Sequence, residues 1–233
     1  MEKNLIILIM ENINKNINFT ILNKCISICA MRGSGKSELL RYIVMSEKDK
    51  FNQIICISPT NKMNNFYSDF INNKFIFEEF NNEYIQLLLK KLSEINEGKN
   101  SQNDKPYNLL LILDDCCSSS KFHTNKTFEK LFTIGRHFFI STIIVSQYLK
   151  HIPPCARSNC EFLLVSTLNN SNVQILCSEY IMGNITKKQF IDIYRYNIED
   201  NGFLLINCNA TKNTNLNYIY GNIRVSKQFL KVK

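Results

Sequence analysis

The stretch Ala30-Met31-Arg32-Gly33-Ser34-Gly35-Lys36-Ser37 decides the fold of this 233-residue chain. It follows an apolar run over residues 25–30 and precedes a helical pattern over residues 37–46. Its tail matches the phosphate-binding loop G-x-x-x-x-G-K-[ST], with Ala30 in place of the first glycine, and a strand before and a helix after are the context that this motif requires. The alternative is a glycine-rich turn that binds nothing. The context favours a phosphate loop.

The side chains of this loop suit the phosphates of ATP. Glycines allow successive backbone N–H groups to converge on an anion at a helix N-terminus. Lys36 supplies a mobile cation to the β- and γ-phosphates, and the Ser37 hydroxyl is a ligand for Mg²⁺. The residues expected to bind the nucleotide are Gly33, Ser34, Gly35, Lys36, Ser37 and Glu38.

Apolar runs alternate with helical patterns along the whole chain, and such runs are typical of parallel strands covered on both faces. The predicted strands are residues 25–30, 54–58, 109–113, 142–146, 162–165 and 203–207, with a further strand over 217–225 and a weak edge strand in the first twenty residues. The predicted helices are residues 37–46, 82–92, 127–133, 173–181 and 186–196. The alternation predicts an α/β, three-layer fold with a mostly parallel central sheet. Together with the phosphate loop, this fold resembles a P-loop NTPase of the RecA-like (ASCE) type. Residues 1–233 are expected to form one domain, with a core over about 24–209 and a C-terminal extension over 210–233.

Two carboxylates follow the apolar run over residues 109–113. Asp114 is expected to hold Mg²⁺ through water. Asp115 is expected to act as a general base on an attacking water. The alternative is a turn or a helix N-cap, because Asp often follows a strand.

Gln147 stands at the polar end of the run over residues 142–146. In P-loop ATPases with an extra strand between the phosphate-loop strand and the acidic strand, this position faces the γ-phosphate, where a Gln can orient water. We therefore expect the phosphate-loop strand to lie next to the Gln147 strand. A Gln that only ends a strand is the alternative.

The positive charge lies in the second half of the chain. Residues 1–115 contain 14 Lys and Arg and 14 Asp and Glu, whereas residues 116–233 contain 14 Lys and Arg and 6 Asp and Glu, a difference of +8. This excess indicates a polyanionic partner or a solvated basic face.

Cysteine usage and hydropathy exclude several classes of protein. The nine cysteines are odd in number and none forms a C-x-x-C pair, which favours reduced thiols over a zinc ribbon or a disulfide framework. The apolar run over residues 5–10 is too short for a membrane helix or a signal sequence. We therefore expect neither membrane insertion nor secretion.

A block over residues 135–159 resembles the FtsK–HerA superfamily and is most similar to the DNA-packaging ATPases of poxviruses and other large DNA viruses. The resemblance is carried by Gly135-Arg136-His137, Ile140-Ser141-Thr142-Ile143-Ile144-Val145-Ser146-Gln147, Ile152-Pro153-Pro154 and Ala156-Arg157-Ser158-Asn159. The phosphate loop, Ser58-Pro59-Thr60 and the Asp114-Asp115 pair fit the same family, and the likeness spans roughly residues 24–209.

The resemblance implies a homo-oligomeric ring, a hexamer or pentamer, that uses ATP and Mg²⁺ to move double-stranded DNA into a capsid. Capsid or portal-type proteins would be its partners, at the assembly site in the cytoplasm of an infected host cell, with the virion as a second location. The rival interpretations are another P-loop enzyme, such as a helicase or a nucleotide kinase, and an ATP-binding scaffold subunit that hydrolyses poorly. Asp115 in place of the commoner Glu, and Ala30 in place of Gly, leave the scaffold open.

The same resemblance assigns roles to basic residues. Arg136 would reach the nucleotide of a neighbouring subunit, and Arg157 would either do the same or contact DNA. Lys121 and Lys126, in the loop after the acidic pair, would contact DNA phosphates. The alternative for both arginines is a surface ion pair, and for the loop a flexible surface segment.

Overall fold

The computed structural model of the protein describes residues 17–97, 105–118, 122, 124–210 and 215–225. Its strands are β1 (Cys25–Cys29), β2 (Gln53–Ile57), β3 (Ile76–Phe77), β4 (Leu109–Asp114), β5 (Ile140–Ser146), β6 (Phe162–Val165), β7 (Phe203–Asn207) and β8 (Tyr220–Ile223). Its helices are α1 (Lys36–Glu47), α2 (Asn61–Asn64), α3 (Asn82–Glu97), α4 (Lys126–Thr133), α5 (Pro154–Ser158), α6 (Asn170–Tyr180), α7 (Lys187–Ile198) and α8 (Leu216–Ile219).

All eight strands belong to one sheet in the order β3-β2-β4-β5-β1-β6-β7-β8. The five pairings from β3 to β6 are parallel, and β7 and β8 add two antiparallel pairings at one edge. The phosphate-loop strand β1 lies next to β5, and β5 separates it from β4. The predicted α/β fold with a mostly parallel sheet, and the predicted neighbourhood of β1, are therefore confirmed.

Helices cover both faces of the sheet, which gives the three layers. Along β4, Leu109, Leu111 and Leu113 face one core, and Leu110 and Ile112 face the other. The first core is closed by α3, α4, α6 and α7, and the second by α1. Burial on both faces explains why these strands are apolar throughout rather than alternating.

The two ends of the chain differ from the prediction. A strand is predicted over residues 217–225. In the structure, residues 216–219 form the helical turn α8, and only residues 220–223 pair with β7. A strand would send Ile219 and Tyr220 to opposite faces, whereas the helical turn lets both enter the same core fully buried.

The strand β3, which is two residues long, was not predicted from the sequence. Of the weak edge strand in the first twenty residues, residues 1–16 lie outside the described part, and residues 17–20 form no strand.

Parallel strands bring polar side chains to one edge of the sheet. Their carboxyl ends place Ala30, Ser58, Asp115 and Gln147 at the same edge as the phosphate loop. Ligand sites of open α/β sheets lie at this edge. Within the described residues, no helix combines the length and the hydropathy needed to cross a membrane.

Candidate active site

The phosphate loop takes its shape from two glycines in the left-handed region. Gly33 has φ 80° and Gly35 has φ 83°, values that L side chains rarely adopt. Gly35 is the N-cap of α1, and no side chain caps this end of the helix. The first-turn N–H groups of a helix lack partners within the helix. They are therefore available here to an anion.

Both neighbours of β1 hold the start of the loop. The Ala30 N–H donates to the carbonyl of Ser146 at 3.3 Å, and the Met31 N–H donates to the carbonyl of Thr167 at 2.8 Å. The loop is thus fixed between the strand ends of β5 and β6. Ala30 is fully buried and does not disturb the two positive-φ positions, which are both glycine.

The Lys36 ammonium lies among the loop carbonyls and close to the acidic pair. Its Nζ donates to the carbonyl oxygens of Ala30 at 2.7 Å and Met31 at 3.0 Å. Burial lowers the pKa of Lys36, and the charges of Asp115 and Asp114 oppose that shift. The structure therefore brings Lys36 and both carboxylates together, as the motif spacing predicts.

The Asp114 carboxylate ends β4 and is half-buried. Ser58, at the end of the neighbouring strand β2, donates its Oγ–H to Asp114 Oδ2 at 3.1 Å. Burial raises the pKa of Asp114 above its ordinary value, while the nearby Tyr67 hydroxyl, Ser58 and Lys36 act to lower it. The protein thus holds this carboxylate in place in a poorly solvated position.

The Asp115 carboxylate is joined to Gln147 across two strand ends. Gln147 Nε2 donates to Asp115 Oδ2 at 2.8 Å. Asp115 has φ 49°, and its N–H donates to the carbonyl of Val145 at 2.9 Å. A non-glycine residue with positive φ is uncommon, and such residues cluster at functional sites. This turn directs the Asp115 side chain to the end of β5.

The donor set at this edge fits Mg²⁺ better than a metal held by protein alone. Within the described residues, no group of three or more His, Cys, Asp or Glu could hold a metal ion. Mg²⁺ is usually bound through one or two protein oxygens, waters and substrate phosphates. A positioned carboxylate, Asp114, and a hydroxyl at the start of α1, Ser37, meet that requirement.

The two candidate arginines have different surroundings. Arg136 lies in the turn Gly135–Phe138, is exposed, and makes no ion pair with any acid that the structure describes. Arg157 binds both carboxylate oxygens of Glu179, at 2.9 and 3.1 Å, and donates to the carbonyl of Ile152 at 2.7 Å. The ion-pair alternative therefore describes Arg157 well and Arg136 poorly.

One of the two candidate DNA lysines lies within the described residues. Lys126 is exposed and begins α4. Lys121 lies outside the described residues.

Two side chains of the site have roles that the sequence analysis did not assign. From the sequence, Ser58 is assigned only to the family pattern Ser58-Pro59-Thr60. A serine that ends a buried strand next to the acidic strand could nevertheless have indicated a hydrogen bond to the carboxylate. Tyr67 lies in the short turn Phe66–Asp69, where its side chain is buried, and no periodicity or motif in the sequence marks it. Its proximity to Asp114 arises from tertiary folding alone.

Comparison with known proteins agrees with this architecture. Residues 15–222 match the Poxvirus A32 protein family. The chain belongs to the Poxvirus A32 protein family. The resemblance to poxvirus ATPases seen in the sequence is therefore confirmed.

Two similar proteins come from large DNA viruses. Uncharacterized protein 075L of Invertebrate iridescent virus 6 is 31% identical over 153 residues, which are 66% of this chain and 58% of that protein. Uncharacterized protein 015R of Frog virus 3 is 26% identical over 157 residues, which are 67% of this chain and 48% of that protein. The chain thus spans about half the length of these relatives.

A solved structure has the same fold. The genome packaging NTPase B204 from Sulfolobus turreted icosahedral virus 2, in complex with AMPPCP, superposes with a TM-score of 0.59. The superposition covers 87% of this chain and 98% of B204, at 12% sequence identity. At that identity the likeness concerns the fold.

Proposed function

We propose that this chain is an ATP-hydrolysing motor that translocates double-stranded DNA and packages a viral genome into a capsid. Membership of the Poxvirus A32 protein family and the shared fold with B204, a genome packaging NTPase, support it. The observation that carries the proposal is the hydrogen bond of 2.8 Å between Gln147 Nε2 and Asp115 Oδ2, next to the phosphate loop. A carboxylate and an amide placed at this edge can position and deprotonate a water.

Each residue at the edge has a step in the proposed hydrolysis. The N–H groups of the loop and the first turn of α1 bind the phosphates, and Lys36 leaves the Ala30 and Met31 carbonyls to contact the β- and γ-oxygens. Gln147 orients the attacking water, and Asp115 accepts its proton. Asp114 and Ser37 would hold Mg²⁺, which neutralises phosphate charge when bound.

Arg136 lies at the amino ends of the parallel strands, opposite the carboxyl ends that carry the phosphate loop, and would act in trans. It precedes the first residue of β5, whereas Gln147 follows the last, and the seven residues of β5 span about 20 Å. Arg136 and the phosphate loop of the same subunit therefore lie at opposite ends of the strands. In a ring, this exposed guanidinium would stabilise the γ-phosphate charge of a neighbour, as arginine fingers do. Arg157, already bound to Glu179, is the weaker candidate.

DNA would be held through its phosphates. The net charge of +8 in residues 116–233 suits a polyanion, and a packaging motor must accept every sequence of the genome. Lys126 is the exposed candidate that the structure describes, and it follows the acidic strand at the nucleotide edge. Lys121 remains a candidate from the sequence.

The hydrolytic role of Asp115 can be tested by Asp115→Asn. The variant should bind ATP like the wild type, while phosphate release slows by on the order of a hundredfold or more, because it loses its general base. Asp49→Asn, in an exposed turn after α1, is the matched control and should behave like the wild type. Release of inorganic phosphate identifies water as the acceptor. Full activity of Asp115→Asn, or transfer of the phosphoryl group to another nucleotide, would contradict the proposal.

A further inference from the structure

The turn Glu199–Asn201 contains two consecutive non-glycine residues in the left-handed region. Asp200 has φ 52° and Asn201 has φ 58°, and both residues are exposed. A non-glycine residue with positive φ is uncommon, although Asp and Asn adopt it more often than most. Such residues cluster at functional sites, so two in succession on the surface call for an explanation.

Hydrogen bonds between successive strand ends connect this turn to the phosphate loop. The Met31 N–H of the loop donates to the carbonyl of Thr167 at 2.8 Å, just after β6. One residue earlier, the Ser166 hydroxyl donates to the carbonyl of Gly202 at 2.8 Å, between the turn Glu199–Asn201 and β7. Because β1, β6 and β7 are successive strands of the sheet, the turn lies two strand spacings, about 10 Å, from the phosphate-loop strand.

The groups proposed to act on the γ-phosphate lie on the other side of the phosphate-loop strand. Gln147 follows β5, and its partner Asp115 follows β4. A nucleotide whose γ-phosphate lies towards β5 and β4 extends its nucleoside towards β6 and β7. The turn Glu199–Asn201 is therefore on the side of the phosphate loop where the ribose would lie.

The Asp200 carboxylate is held near this position and is open to solvent. Asn222 Nδ2 of β8 donates to the carbonyl of Asn197 at 2.7 Å, which fixes the chain just before the turn. Arg224 Nη1 lies 4.0 Å from Asp200 Oδ2, and the Asp200 side chain is 88% exposed. An exposed ion pair of this kind is weak, so the carboxylate is available to a hydroxyl donor.

We propose that the Asp200 carboxylate accepts hydrogen bonds from the ribose hydroxyl groups of the nucleotide. The inference rests on the proposed function, which supplies the direction in which the nucleotide lies. A hydrogen bond to an ionised acceptor is stronger than one between neutral groups. Dinucleotide-binding α/β folds also place a carboxylate on a ribose hydroxyl. The turn Glu199–Asn201 would thus allow the site to distinguish a nucleotide from a free polyphosphate.

The affinities for ADP, 2′,3′-dideoxy-ADP and pyrophosphate test this without any hydrolysis. Asp200→Gly removes the carboxylate and keeps the left-handed conformation, which glycine adopts freely. It should weaken ADP binding about tenfold, the loss expected for one hydrogen bond to a charged group. It should not weaken binding of the other two ligands, because neither has ribose hydroxyl groups. Loss of a negative charge by itself favours an anion, so general electrostatics would shift all three affinities in the opposite direction.

Two further variants make the test specific. Asn201→Gly changes the neighbouring residue of the same turn, and it should retain the full preference for ADP over 2′,3′-dideoxy-ADP. Asp200→Asn keeps the shape of the side chain, and it should lose part of that preference because a neutral amide is a weaker acceptor. If Asp200→Gly lowers the thermal midpoint, Asp200→Asn decides the test.

The outcomes separate this inference from the proposed function. A wild type that binds ADP and 2′,3′-dideoxy-ADP equally well would overturn the inference and leave the proposed function intact. Equal weakening of all three ligands in Asp200→Gly would also overturn it, because the turn would then only support the phosphate loop. If the wild type binds neither ADP nor pyrophosphate, the proposed function fails, and the inference fails with it. A preference for ADP that is lost in Asp200→Gly and kept in Asn201→Gly supports the inference.

Discussion

Asp114, the proposed Mg²⁺ ligand, is a carboxylate that the fold holds at the expense of stability. Burial raises its pKa, so the folded protein favours the protonated form more than the unfolded chain does. The folded state then binds more protons than the unfolded state in the pH range from 3.8 up to the raised pKa. Stability contributed by this group is therefore present at low pH and lost as the pH rises through that range.

Asp114→Asn should consequently raise the free energy of unfolding of the ligand-free protein at pH 7. The gain should disappear below about pH 3.8, where the carboxyl is protonated in both states. Denaturant unfolding at several pH values measures it, with the exposed Asp49→Asn as the control. The same variant should lose Mg²⁺-dependent hydrolysis. A variant less stable than the wild type at pH 7 would show that the ionised carboxylate is stabilised by its surroundings.

The sequence placed the candidate site residues at one end of the sheet more readily than it placed the residues that support them. Lys36, Asp114 and Asp115 come together because a loop motif and a strand-end acidic pair are local signals. The bond between Gln147 and Asp115 follows once β4 and β5 are neighbours. Tyr67 and the ion pair of Arg157 with Glu179 depend on contacts between segments distant in sequence, and neither leaves a local pattern.

At the scale of elements, the start of α1 depends on backbone conformation. Gly35 has φ 83°, and a Cβ built there would have nothing within 4 Å. Replacing it therefore introduces conformational strain without a clash. The strain of an L residue in this region is roughly 1–2 kcal/mol.

Gly35→Ala should lower the free energy of unfolding by about that amount and weaken nucleotide binding, because the N–H groups of the loop lose their alignment. Gly135→Ala is the matched control. Its φ is not in the left-handed region, and its Cβ would meet Ile140 Cβ at an ordinary 3.9 Å. Denaturant unfolding and analogue binding of both variants give the comparison. Equal behaviour of the two would mean that the left-handed turn is not needed.

The strands were predictable because burial on both faces makes them continuously apolar. The bounds of β6 and β7 agree with the prediction, since polar residues or a glycine flank both runs. β3 was not predicted, and the bounds predicted for β8 were wrong, because each strand is short and lies at an edge of the sheet. Edge strands are decided by pairing and by neighbouring turns more than by their own sequence.

At the scale of the whole molecule, the two ends of the parallel strands suggest a head-to-tail assembly. The carboxyl ends carry the phosphate loop, and the amino ends carry the exposed Arg136. If Arg136 acts in trans, mixing Arg136→Ala subunits with Lys36→Ala subunits should restore part of the ATPase activity that each lacks alone. Activity across mixing ratios, with assembly checked by mass, is the measurement. No recovery in assembled rings would place the role of Arg136 within its own subunit.

The central claim is that ATP hydrolysis at the phosphate loop is coupled to duplex DNA. The most direct test is the rate of phosphate release, with and without double-stranded DNA of unrelated sequences, in each oligomeric fraction of the wild type and of Lys36→Ala. We predict that DNA of any sequence stimulates the wild-type oligomer, that rising salt reduces the stimulation by weakening phosphate contacts, and that Lys36→Ala shows neither basal nor stimulated release. A wild-type oligomer that hydrolyses ATP at one rate with and without DNA, or that does not hydrolyse it, would contradict the account.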